Sequence, residues 1–74
     1  MTTNNSTSRL QILRLPQVIE LTGLSRSTIY DLMDAKSKRF DPTFPKQVKL
    51  SMSSVGWLAV EVEAWIESKV AQRG

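Results

Sequence analysis

The sequence predicts a mainly α fold with one small β-hairpin, in the order helix, helix, hairpin, helix. Three observations carry this. Two short apolar stripes of helical spacing are separated by about three residues that include a glycine, the connection length of a helix-turn-helix unit. Polar and apolar residues then alternate with period two over residues 46–50. A longer helical stripe closes the chain.

Residues 1–8 (MTTNNSTS) are polar and without apolar periodicity, which predicts a disordered lead-in over residues 1–10 and one folded domain over 11–74. No apolar h-region follows, and no run approaches the roughly 18 apolar residues of a membrane helix. QILRL at 11–15 is a short apolar run before Pro16, a good first-turn residue. Val18, Ile19 and Leu21 form one stripe, stopped at Thr22-Gly23, so the first helix is expected over 16–22. Ser25 is a good N-cap for a second helix over 26–35, with Ile29, Leu32 and Met33 inward and Leu24 placed as a hydrophobic staple on Ile29.

Residues 36–43 (KSKRFDPT) are polar and basic, and Pro42 rules out continuous helix. The expected hairpin runs from 46–50 through a turn at 51–54 to a returning strand at 55–57, with Val48, Leu50, Val55 and Trp57 facing or flanking the core. An irregular loop is the alternative. In the final helix Val62, Trp65, Ile66 and Val70 share a stripe, and Glu61 and Glu63 sit in the first turn, where carboxylates suit the helix dipole. Ala59 is a poor residue at the expected N-cap. Trp57, Trp65, Phe40 and Phe44 are all expected to close the core.

Composition narrows the function. A chain of 74 residues without cysteine or histidine has neither disulfides nor the usual zinc ligands to staple a thin core. It also lacks a thiol nucleophile and an imidazole base, and has little volume for a substrate pocket. An enzyme is not expected, nor any cofactor or metal. The net charge of +3 resolves into +4 over residues 1–52 and −1 over 53–74, so the positive charge has a location.

The candidate DNA surface is the start of the second helix: Ser25, Arg26, Ser27, Thr28 and Tyr30. A helix in a major groove meets base edges with its N-terminal residues. Small hydroxyl residues permit close approach, the arginine fork is bidentate to guanine or phosphate, and Tyr30 lies one turn further on. The plain alternative makes Ser25 only a cap, Arg26 a solvated charge and Tyr30 a half-buried core edge. Lys36, Lys38 and Arg39 are candidate backbone anchors. Lys46 and Lys49 lie three apart, on opposite faces of a regular strand, and the tip Ser51, Ser53, Ser54 is either a groove-entering wing or a solvated turn.

Taken in order, ILRLPQV at 12–18, LTGLSRSTIY at 21–30, FPKQVKL at 44–50, VGW at 55–57 and EVEAWI at 61–66 resemble the AlpA-like prophage regulators, which are related in fold to phage excisionases and MerR DNA-binding domains. The resemblance implies a winged helix-turn-helix, with residues 25–28 and Tyr30 as recognition segment and Lys46, Lys49 and the serine tip as wing. It implies that Arg14 anchors a phosphate or braces the fold. It further implies a cytoplasmic, nucleoid-associated protein that binds double-stranded DNA, with further copies of itself on adjacent sites, an integrase or RNA polymerase as other partners, and no membrane partner. Family members activate a neighbouring integrase gene or direct excision. A DNA-bending excisionase-like factor and a protein-binding antirepressor are the rival functions. The chain departs from the pattern in its long polar 36–43 link, in a tip without the usual arginine, and in Ala59 replacing a serine cap.

Overall fold

The computed structural model describes residues 10–73, so the expected lead-in lies outside the described residues except for Leu10. The elements are β1 (Ile12–Leu13), α1 (Leu15–Thr22), α2 (Arg26–Met33), β2 (Val48–Ser51), β3 (Ser54–Leu58) and α3 (Ala59–Gln72). This is the expected order with one strand added. β1 pairs antiparallel with β3, giving a three-stranded sheet in the order β1-β3-β2. Two residues are too few to show a period, so the strand was invisible as a pattern.

The register sorts the sheet into two faces. Leu13 pairs with Trp57, and both are buried in the core with Val18, Ile29, Phe44, Ala59 and Val62. Val48 pairs with Gly56, and Ile12 with Leu58, on the opposite face. Gly56 is required there: a Cβ would overlap Ile12 Cγ2, fall 2.9 Å from the Leu13 carbonyl oxygen and 3.5 Å from Leu50 Cδ1. The expectation for the hairpin therefore holds in part. Trp57 is fully buried, whereas Leu50 is 45% exposed, because it is the extra residue of a bulge between the Lys49↔Val55 and Ser51↔Ser54 pairs. Phe40 is also exposed, contrary to expectation; Phe44 alone of the two enters the core.

Helix boundaries follow local hydrogen bonding. α1 starts at Leu15, one residue early, since Gln17 Oε1 accepts the Arg14 N–H at 2.8 Å and organises the first turn. It ends at Gly23, whose φ of 75° is left-handed and whose N–H donates to the Ile19 carbonyl at 2.8 Å. α2 stops two residues short of the expected end. Asp34 turns extended and its Oδ1 accepts the Lys36 N–H at 2.9 Å, a side-chain turn that competes with helix. Ala59 is the first helical residue of α3 and not its cap; Leu58 precedes the helix directly from β3. The Ala59 N–H donates to the Gln11 carbonyl at 2.9 Å, so one of the orphan donors at the helix start is satisfied by the residue just before β1.

Between α2 and β2 the chain is tied down by Asp41. Its N–H donates to the Leu32 carbonyl at 2.9 Å, closing the end of α2. Oδ2 accepts from Trp65 Nε1 at 3.2 Å and pairs with Lys69 Nζ at 3.1 Å, both on α3. Oδ1 accepts from the Thr43 hydroxyl and from its N–H at 2.8 Å. Trp65 is packed in turn by the edge of Phe44, with ring centroids 5.0 Å apart, and by Lys69 above its ring. The Thr43 hydroxyl, followed by the Thr43 N–H, Lys69 and Trp65, holds the Asp41 carboxyl well below its ordinary range against the opposing effect of burial. Among the described residues no helix is long and apolar enough to cross a membrane.

Two outcomes follow. Gly56→Ala should lower stability by about 3 kcal/mol through overpacking, against about 1 kcal/mol for Gly23→Ala, where only the left-handed φ is at stake; chemical denaturation compares them. Asp41→Asn should cost about 1–3 kcal/mol near neutral pH. Because the folded-state pKa lies below the ordinary 3.8, the carboxylate's contribution is complete above that value and drains away as pH falls beneath it. Thermal unfolding at descending pH should show the two proteins converging in acid.

Candidate nucleic-acid interface

The N-terminus of α2 is built by a hydroxyl network. Ser25 Oγ accepts the Thr28 N–H at 3.2 Å, donates to Thr28 Oγ1 at 3.0 Å and lies 3.3 Å from Ser27 Oγ. Ser25 is thus the cap that the sequence predicts, and Thr28 is half-buried beside it. Ile29 is completely buried, and Leu32 and Met33 pack on the core. This fixes the rotation of the helix and leaves Arg26, Ser27 and Tyr30 outward, at successive turns of one face. The Arg26 guanidinium and the Tyr30 hydroxyl have no hydrogen-bond partner among the described residues, and Tyr30 is 43% exposed. The Ser25 and Thr28 hydroxyls are committed to the cap; the Arg26 guanidinium has no such tie among the described residues.

The hairpin carries the second group. Arg14 Nε donates to the Val55 carbonyl at 2.9 Å, bracing the wing from the β1 side, while Lys49 pairs with Val55 from β2. Two cations thus flank one residue of the central strand, a convergence that their separation of 35 positions in the sequence conceals. Lys46 precedes β2, so strand alternation does not govern where it points. The tip is tighter than the expected four-residue turn: Ser51 and Ser54 pair, leaving Met52 and Ser53 as the turn.

Lys36, Lys38 and Arg39 follow the C-terminus of α2, whose last residue lies about 10 Å along the helix axis from Arg26. All three are exposed. Arg39 is held back toward α2 by Asp31, with Nη1 and Oδ2 3.2 Å apart. Asp31, Asp41 and Gln17 are the positioning residues that the motif reading missed. The Asp41-Pro-Thr43 sequence was a readable signal, since an aspartate two residues before a threonine is suited to a side-chain turn. Nothing local pointed to its partners on α3.

The family model described as "Prophage CP4-57 regulatory protein (AlpA)" matches residues 11–70, which includes every described element except the last two residues of α3. The chain belongs to the AlpA family. It is 48% identical over 65 residues to the DNA-binding transcriptional activator AlpA of Escherichia coli (strain K12), covering 88% of this chain and 93% of that protein. It is 44% identical over 63 residues to the uncharacterized protein ORF88 of Enterobacteria phage P4, covering 85% of this chain and 65% of the phage protein. No solved structure matches the chain. The three helices and the antiparallel hairpin have the winged helix-turn-helix arrangement expected of this AlpA-family prophage regulator.

If Ser25 serves chiefly as a cap, Ser25→Ala should lower stability by about 1 kcal/mol, whereas Ser27→Ala should stay within about 0.5 kcal/mol of the parent. Denaturant midpoints at constant slope measure both.

Proposed function

We propose that this AlpA-family protein is a sequence-specific double-stranded DNA-binding transcriptional activator that acts in the cytoplasm on a promoter near an integrase gene. One observation carries the reading. Arg26 has no partner among the described residues and stands at the exposed start of a helix whose other polar side chains there are already bonded to one another. A guanidinium so placed is suited to bidentate contact with a guanine edge in the major groove. Ser27 and Tyr30 lie beside it as groove and phosphate contacts.

Arg14 and Lys49 at the base of the wing, and Lys36, Lys38 and Arg39 beyond α2, supply the phosphate contacts that set register. Lys46 and the tip residues Ser51, Ser53 and Ser54 belong to the same wing surface. The work is done by occupancy: the bound protein presents its acidic third helix, with Glu61, Glu63 and Glu67 exposed, to RNA polymerase or to an integrase. One module of this size covers about 600–1,000 Å² of DNA-facing surface, so selectivity draws on adjacent copies.

Selection of bound fragments from a genomic pool, followed by salt titration of the best duplex, tests the proposal. Affinity should fall linearly on logarithmic axes with salt. Arg26→Ala should cost about 1–3 kcal/mol and relax preference at one or two base pairs, whereas Lys49→Ala should weaken all duplexes alike and reduce the salt slope by about one. A protein that retains no duplex after selection, or an Arg26 variant with unchanged preference, refutes it.

A further inference from the structure

We infer that Met52 is an apolar wedge, which the hairpin carries into the minor groove of duplex DNA and seats between two stacked base pairs. The inference rests on the DNA-binding reading above and assigns the wing a role that its serines and lysines do not supply. Met52 is 95% exposed, the most exposed of the large apolar side chains among the described residues. A single exposed apolar residue is ordinary on a protein surface. Its position makes this one different.

The fold does not call for methionine at that place. Two-residue hairpin turns favour glycine or asparagine with positive φ, yet no non-glycine residue among those described has positive φ. Met52-Ser53 is therefore not one of the mirror-image turns that match strand twist, and the bulge at Leu50 absorbs the mismatch. A residue that neither packs nor shapes the turn is free to serve another surface.

The surroundings fit a base step. Ser51, Ser53 and Ser54 flank Met52 with small hydroxyl side chains, so no bulky neighbour stands between its thioether and a base step. No acidic residue occurs between Asp41 and Glu61, and Lys46 and Lys49 give the hairpin an unopposed positive charge in sequence. The support is stiff. The strand behind the tip is paired on both sides, bonded by Arg14 Nε at Val55 and locked over Ile12 at Gly56. Methionine adds a flexible, polarizable thioether able to follow the faces of two bases as they part. Insertion of this kind opens the step and bends the duplex toward the major groove. The tip thus works by an apolar contact where an arginine would work by charge.

The test uses the full chain and a duplex recovered by the genomic selection. The parent protein should bend that duplex and raise the fluorescence of 2-aminopurine placed at a single step. Met52→Ala should keep its thermal midpoint and its salt slope, bind about tenfold more weakly, and lose both the bend and the fluorescence rise. Met52→Leu should retain them. The inference is overturned if the parent binds specifically but leaves the duplex straight and stacked, or if Met52→Ala bends it as before. A Met52→Ala protein that bends normally but no longer binds adjacent sites cooperatively also overturns it, by placing Met52 against a second copy. A selection from which the parent recovers no duplex would instead remove the DNA-binding reading itself, and the wedge with it.

Discussion

A single carboxylate takes the place of the staples that this chain lacks. With no cysteine and no histidine, nothing covalent or zinc-bound joins its ends. Asp41 closes the C-terminus of α2 through its N–H, and through its side chain grips Thr43, Trp65 and Lys69. Remove that grip and α3 has no polar tie to the connector. Phe44 and Trp65, whose rings meet edge to face beside it, would then close the core by contact alone. Charge-assisted hydrogen bonds of this kind are stronger than neutral ones, and several converge on one group that remains only partly exposed.

The second constraint is the close approach of β1 to β3. Gly56 removes the one side chain that would hold the strands apart, and Ile12 fills the place. The same approach brings Gln11 to the start of α3 and Arg14 to Val55. One missing methyl group therefore serves three ends: it completes the sheet, brings an acceptor to the first N–H of the last helix and braces the wing. This is why a hairpin whose two strands total nine residues can act as a rigid arm, when an isolated hairpin is at best marginal in water.

Much of the fold was legible because its signals are local. Ser25 as cap, Gly23 as left-handed stop and the stripes of α1, α2 and α3 all depend on residues within one or two turns. Errors fell where a distant partner decides. β1 exists only because β3 lies beside it, and the Ala59 N–H finds its acceptor only because Gln11 reaches it. Leu50 and Phe40 read as core by hydrophobicity, but a bulge and a loop leave both exposed. At the candidate interface the residue types were readable, while their state was not. Ser25, Ser27 and Thr28 are bonded to one another, while the Arg26 guanidinium and the Tyr30 hydroxyl have no partner among the described residues.

By itself the sequence determined the class of protein: a small basic domain of two coupled helices, a hairpin and a final helix, with an arginine at the start of the second helix and the motif order of one family. Those properties are carried by spacing, turn chemistry and residue identity, all of which are written along the chain. Only the tertiary structure decided which polar groups are spent on the fold and which are left to meet a partner. That allocation depends on contacts between residues 24 and 41 positions apart, as at Asp41–Trp65 and Arg14–Val55, and no local pattern records which distant groups come within hydrogen-bonding range.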